Sequence, residues 1–229
     1  MCRIDHVSVP LLLLLILLSS SLPLHAGDWP TLHHDLRRSA ATEDEVGPPF
    51  EPAWAAAFDG EILTTRCEPI VAAGRVFAGT YSGRLHCLDA ASGRELWVRD
   101  LEGPMLHSPS VDAGTVYAAS MAGVWALDAA SGEVRWHARG SPVGYDTSPA
   151  VAEGLVLLGG RDGLFYAFAA DSGAQQWTIP TEGPIRTTAA VDAKRVFFAS
   201  DDMRAYAAEL PSGKLLWRSE KLYGQSLRD

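Results

Sequence analysis

Four residues fall at nearly one point of a recurring frame and carry side chains able to bind a ligand: Arg66, His107, Asp146 and Arg186. Each stands four or five residues before one of the valines Val71, Val111, Val151 and Val191, which are spaced by 40 residues each time. Two guanidiniums, an imidazole and a carboxylate can form a polar ligand site if the fold gathers them. If it does not, they are solvated loop residues. A second set, Asp89, Asp128 and Asp171, offers about one carboxylate per repeat. Calcium needs six or more oxygens converging on one point, so carboxylates spread one per repeat read as turn residues. His33-His34-Asp35 lacks further ligands at metal spacing and reads as a polar, exposed segment. No metal site is expected. No Gly-rich phosphate loop, Cys–His pair or Ser–His–Asp set emerges, so no catalytic residue is assigned.

The elements that position these groups are legible from a repeat. Trp97, Trp136, Trp177 and Trp217 recur at intervals of 39, 41 and 40 residues, each closing nearly the same segment. The clearest copies run from Cys87 to Trp97 and from Ala126 to Trp136, each with Asp-Ala-Ala-Ser-Gly at its centre. A fixed period near 40 residues marks a repeat architecture whose units bury their faces on one another. Each unit holds short runs rich in Val, Phe, Tyr and Leu, punctuated by Gly, Asp and Ser, which are strand and turn signals. Four strands per period is the arithmetic of a β-propeller blade. We therefore expect an all-β propeller of four-stranded antiparallel blades, with four blades over residues 61–229. In such a ring the first strand of each blade lines a central channel, so Arg66, His107, Asp146 and Arg186 would stand around its mouth.

The turn chemistry follows from the residue types. Asp or Ser side chains bond backbone N–H groups two residues on, and Gly supplies positive φ. The Trp buries a large flat surface and offers one N–H to the next blade. This assigns a structural docking role to Asp89, Gly93, Trp97, Asp128, Gly132, Trp136, Gly173, Trp177, Gly213 and Trp217. Small residues (Cys87, Ala126, Ala167, Ala207) follow the rings of His86, Trp125, Tyr166 and Tyr206, which suits close interdigitation of stacked sheets. His86 in that slot reads as a packed ring.

The pattern A-x-D-x-x-[ST]-G-x-x-x-W resembles the tryptophan-docking motif of the pyrroloquinoline-quinone (PQQ) type propeller repeat. The third copy departs from it with Ala169 where Asp is expected, and the fourth with Glu209. The resemblance covers roughly residues 50–220 by repeat counting. The head, Asp28-Trp-Pro followed by Leu32-His-His-Asp35 and Arg37-Arg-Ser39, is similar to the lead-in of many secreted proteins with such propellers. The resemblance implies one of two functions. One is a non-enzymatic scaffold, similar to the outer-membrane-assembly scaffolds of the BamB type, that holds polypeptide partners or a small ligand at the propeller face. The other is a quinoprotein dehydrogenase or its remnant, using PQQ with calcium. The dehydrogenases of this type also need an adjacent-cysteine disulfide, a calcium cage and an Asp base. The sequence offers no adjacent Cys pair and no assignable cage, so no cofactor is expected outside the second reading.

The ends and the composition bound the rest. Leu11 to Leu18 is an unbroken aliphatic run, too short to span a bilayer but suited to a signal-peptide core. We expect residues 1–26 to be a leader cleaved after Ala26, giving an exported protein, periplasmic or secreted and not membrane-spanning. Residues 27–60 form a lead-in, in which Ala53–Phe58 aligns with the Trp97 segment as an orphan outer strand. The formal charge of −9, with no basic cluster, disfavours nucleic acid. Cys67 and Cys87 fall on strands separated by a third, beyond disulfide reach, and read as free buried thiols. Propellers of this type usually have seven or eight blades. The four read here are a fragment, a half-ring that pairs with a second copy through open blade edges, or a closed four-bladed ring.

Overall fold

In the computed structural model, which describes residues 27–43, 48 and 50–222, the repeat becomes four sheets of four antiparallel strands. Blade one is β1 (Ile70–Ala72), β2 (Arg75–Gly79), β3 (Arg84–Asp89) and β4 (Glu95–Asp100). Blade two is β5 (Ser110–Asp112), β6 (Thr115–Ser120), β7 (Gly123–Asp128) and β8 (Val134–Ala138). Blade three is β9 (Ala150–Ala152), β10 (Leu155–Gly159), β11 (Leu164–Ala169) and β12 (Gln175–Pro180). Blade four is β13 (Ala190–Asp192), β14 (Arg195–Ser200), β15 (Arg204–Glu209) and β16 (Leu215–Arg218). In every sheet the strands pair in chain order. The protein is thus an all-β propeller assembly, as its period predicts.

The register repeats with the sequence. Cys87, Ala126, Ala167 and Ala207 stand directly opposite Trp97, Trp136, Trp177 and Trp217, and the ladder slips just after each small residue. The slip is a bulge on the fourth strand, which carries one extra residue (Leu96, Arg135, Gln176 or Leu216) just before its Trp. A small side chain opposite each indole leaves room for it to tilt toward the next blade. Blade faces are correspondingly buried: Phe77, Leu85, Val116, Leu127, Leu157 and Phe165 have no exposed surface.

Docking between blades is visible atom by atom. The Trp97 indole donates to the Ala129 carbonyl at 3.2 Å, and Trp136 to Ala170 at 2.9 Å. Trp177 makes the same kind of bond to Pro211. Each indole lies flat on the turn glycine of the following blade. Gly132 has φ +70°, and a Cβ there would fall 2.6 Å from the Trp97 ring. Glycine is required both for the backbone conformation and for the approach. Asp89 Oδ1 accepts from the Ser92 N–H and Oγ, and Asp128 Oδ1 from the N–H groups of Ala130 and Ser131. These carboxylates hold the turn that presents the glycine.

Residues 53–58 pair with no strand among the described residues. Trp54 nevertheless occupies the receptor turn of blade one: its indole donates to Ala90 at 2.9 Å and lies against Gly93. The leader expected at 1–26 lies outside the described residues. Cys67 and Cys87 are free and buried, and burial pushes both thiols up to about 12.

The lead-in departs from the expectation of an exposed polar segment. Only His33 of the His-His-Asp run is exposed; Thr31 is buried, and His34 rests on Trp29 with ring centroids 4.8 Å apart. The physical reason is the free edge of each first strand. Val71 exchanges two backbone hydrogen bonds with Trp29, the Val111 N–H donates to Pro30, and the Val191 N–H donates to Leu36. Residues 29–36 therefore lie across the inner edges of blades one, two and four and satisfy groups that would otherwise be unpaired.

Candidate functional site

The loops that precede the first strands of the blades converge near the axis, and with them residues one period apart in sequence come into contact. The Cys67 thiol donates to the His107 carbonyl, and the Ser148 N–H to Thr188 Oγ1, across exactly one repeat in each case. All four candidate residues meet in this region, on one carboxylate. Asp146 is buried, with its side chain 4% exposed. Its Oδ2 accepts from Arg186 Nη1 at 2.6 Å, while its Oδ1 faces His107 Nε2 at 3.2 Å and Arg66 Nη1 at 3.8 Å. The His107 contact lies off the hydrogen-bonding direction, so it acts as a close electrostatic contact. Arg186 extends the cluster by donating from Nε to Asp201 at 3.0 Å.

The electrostatics follow. The His107 ring nitrogen contributes most to holding the Asp146 carboxyl down, burial opposes it, and Arg186 adds to the lowering, for a net value of about 2. A carboxylate so covered is a fixed charge that organises cations. With both oxygens facing cationic groups it is a poor base and offers no open coordination site. Ser108 and Ser148, one period apart in the same loops, have buried hydroxyls without a partner among the described residues.

Sequence reading missed Arg38. It reaches the axis from the lead-in, donating from Nε to the Ala189 carbonyl and from Nη1 to Thr31 Oγ1 and the Leu32 carbonyl. Burial lowers its pKa to about 10, which leaves it charged at neutral pH. It belongs to no repeat, so no spacing could flag it. Leu32, His33 and Arg38 close one side of a cavity of about 670 Å³ whose other walls include Arg66, His107 and Arg186.

A second polar cluster was also missed. His86 is buried as a packed ring, against Phe58 at 4.4 Å, but both its nitrogens are engaged. Nδ1 lies 2.7 Å from Glu95 and Nε2 lies 3.0 Å from Glu61. Burial pushes the Glu61 carboxyl up, but hydrogen bonds from Thr80 and His86, with the charges of His86 and Arg84, hold it below its ordinary value. The cluster fastens the 58–62 segment, and Trp54 upstream of it, to blade one. Among the described residues no three His, Cys, Asp or Glu side chains converge as a metal site would need.

The sequence profile of the family described as outer membrane protein assembly factor BamB matches residues 51–163 and again 140–228. A BamB from Moranella endobia is 31% identical over 173 residues, covering 66% of this chain and 43% of that protein. A polyvinylalcohol dehydrogenase from a Sphingopyxis species is 30% identical over 142 residues, covering 49% of this chain and 22% of the enzyme. The crystal structure of BamB from Moraxella catarrhalis superposes with a TM-score of 0.58 at 27% identity, over 64% of this chain and 50% of that one. The chain therefore spans half or less of the length of each of these relatives.

Proposed function

The chain belongs to the family of the outer membrane protein assembly factor BamB, and from that premise we propose that it is an exported, non-enzymatic propeller scaffold serving outer-membrane protein assembly. The observation that carries this reading is the reach of the family match, which runs through all four blades rather than one repeat. Polypeptide partners would be held at blade loops and exposed strand edges, where backbone pairing supplies affinity. Two apolar surfaces suit that role. One is the face of blade four, where Leu215, Leu216 and Trp217 are exposed; the other is formed by Ile62 and Leu63, ahead of blade one. The setting would be the periplasm or the cell exterior, in keeping with the leader expected at 1–26. No helix among the described residues is long and apolar enough to cross a membrane.

The test is cross-linked capture of the protein from its native envelope, paired with depletion. Components that insert outer-membrane proteins should co-purify, and depletion should lower the amount of folded outer-membrane barrels. If barrel levels are unchanged and no such component is captured, the scaffold reading is wrong.

The similarity to polyvinylalcohol dehydrogenase favours a second reading, a quinoprotein dehydrogenase or its remnant. The residues present do not fit PQQ with calcium. One oxygen of Asp146 is taken by Arg186 and the other faces His107 and Arg66, and the two described cysteines lie 20 positions apart in sequence. Reconstitution with PQQ and calcium followed by a dye-reduction assay separates the readings. Stoichiometric binding with turnover would establish the dehydrogenase and displace the scaffold.

A further inference from the structure

The cavity beneath the lead-in has a chemistry that scaffolding does not use. Three guanidiniums reach its walls from three separate stretches of chain: Arg38 from the lead-in, Arg66 ahead of β1 and Arg186 ahead of β13. Their compensation is uneven. Arg186 is fully engaged, between Asp146 and Asp201. Arg66 is not: its side chain is 60% exposed and its nearest carboxylate oxygen is 3.8 Å away. That oxygen, Asp146 Oδ1, is already shared with His107 at 3.2 Å. Arg38 has no carboxylate partner among its hydrogen bonds, which go to one hydroxyl and to backbone carbonyls. Its Nη2 is buried and has no partner among the described residues.

An orphaned guanidinium N–H in a buried position is costly unless something accepts from it. The planar fork of arginine matches carboxylate and phosphate oxygens. Thr65 and Thr188 add hydroxyls to the same walls, whereas that of Thr187 is spent on the Ala199 carbonyl, and the one acid among the lining residues, Glu68, is exposed. A volume of about 670 Å³ falls within the range of small-molecule sites, so an anion could be one end of a larger ligand.

We propose that this axial cavity binds a small molecule through a carboxylate or phosphate group held between Arg38 and Arg66, with Arg186 fixed beside them by Asp146. The lead-in is then a wall of a binding site as well as a cover for strand edges. The proposal does not depend on the scaffold reading. Loss of one would leave the other standing, because partner capture and small-anion binding are measured separately.

The test is calorimetric titration of the purified protein at low ionic strength with inorganic phosphate and, separately, with succinate. Saturable one-to-one binding of phosphate alone would identify a phosphate-bearing ligand, and of succinate alone a carboxylate-bearing one; binding of both would mark a general oxyanion site. Arg66→Gln, at an exposed side chain, should weaken binding by about tenfold, the worth of one charge-assisted hydrogen bond. Its thermal midpoint should stay unchanged, which separates a lost contact from a lost fold. Glu68→Gln, which removes the opposing charge, should strengthen binding. Absence of saturable binding for both anions would overturn the proposal, and so would equal affinity in Arg66→Gln or no gain in Glu68→Gln.

Discussion

Asp146 converts four scattered polar residues into one structure, and it does so as a buried charge. Its carboxyl sits at about 2 in the folded protein, against 3.8 for an unperturbed group. A folded value below the unfolded one means the native state favours the ionised form. The resulting stabilisation is complete above about 3.8 and is lost as pH falls toward 2. Asp146→Asn should therefore lower the unfolding midpoint at pH 7 and lose most of that deficit below pH 3. Arg186 and His107 remain partly solvated, so the cost should fall below the about 3–5 kcal/mol seen when a fully buried pair is broken. A midpoint difference that stays constant from pH 7 to pH 2 would remove the charge from the explanation. The docking tryptophans make a second contrast between single residues. Trp136 is buried on Gly173, whereas Trp217 is 47% exposed. Trp136→Ala should cost about 3–5 kcal/mol in urea unfolding, and Trp217→Ala less than half of that.

At the scale of elements, the first strands are the places where the repeat is incomplete by itself. The N–H groups of Val71, Val111 and Val191 point away from their own sheets and meet lead-in carbonyls. Val151 holds the same register on β9. No lead-in carbonyl meets it among the described residues, although it lines the same cavity as Val111 and Val191. Native-state hydrogen exchange should find the Val151 amide exchanging faster than the other three, and removal of residues 27–40 should bring all four together. Equal protection in the intact protein would contradict the edge assignment. These strands also mark the limit of what the sequence made legible. Their 40-residue spacing placed Arg66, His107, Asp146 and Arg186 together because equivalent positions of a propeller approach its axis. The lead-in escaped because it pairs through backbone atoms, which every residue carries, and so leaves no side-chain pattern. Glu61 and Glu95 escaped for a related reason. They reach His86 from separate stretches of chain at no repeated interval.

Across the four blades together, the first and the fourth present unlike outer faces. At blade one the receptor turn at Gly93 is filled by Trp54 of the same chain. At blade four Trp217 has no turn glycine against it among the described residues, and Leu215 and Leu216 are exposed beside it. Head-to-tail stacking of copies is therefore blocked at one end, because the socket that would receive a neighbour's Trp217 is taken. A contact made through Trp217 is then left with pairing of blade-four faces to one another, and such an isologous contact closes at two. Light scattering of the 27–229 stretch during size exclusion should thus return a monomer or a dimer, with no higher series as concentration rises. A ladder of trimers and longer species would mean that Trp54 is displaced from Gly93.

The route of the lead-in across the blades also sets an order of events in time. Arg38 is anchored on the carbonyl of Ala189, 151 residues later in the chain. At roughly 5–20 residues per second of synthesis, the lead-in waits roughly 8–30 s before the Ala189 anchor exists. Its Trp29 end meets Val71 far sooner, so through most of that interval only the part around Leu36 and Arg38 stays unclaimed, open to whatever carries or guards the growing chain. A segment made before any blade is fully seated only once the fourth blade has begun.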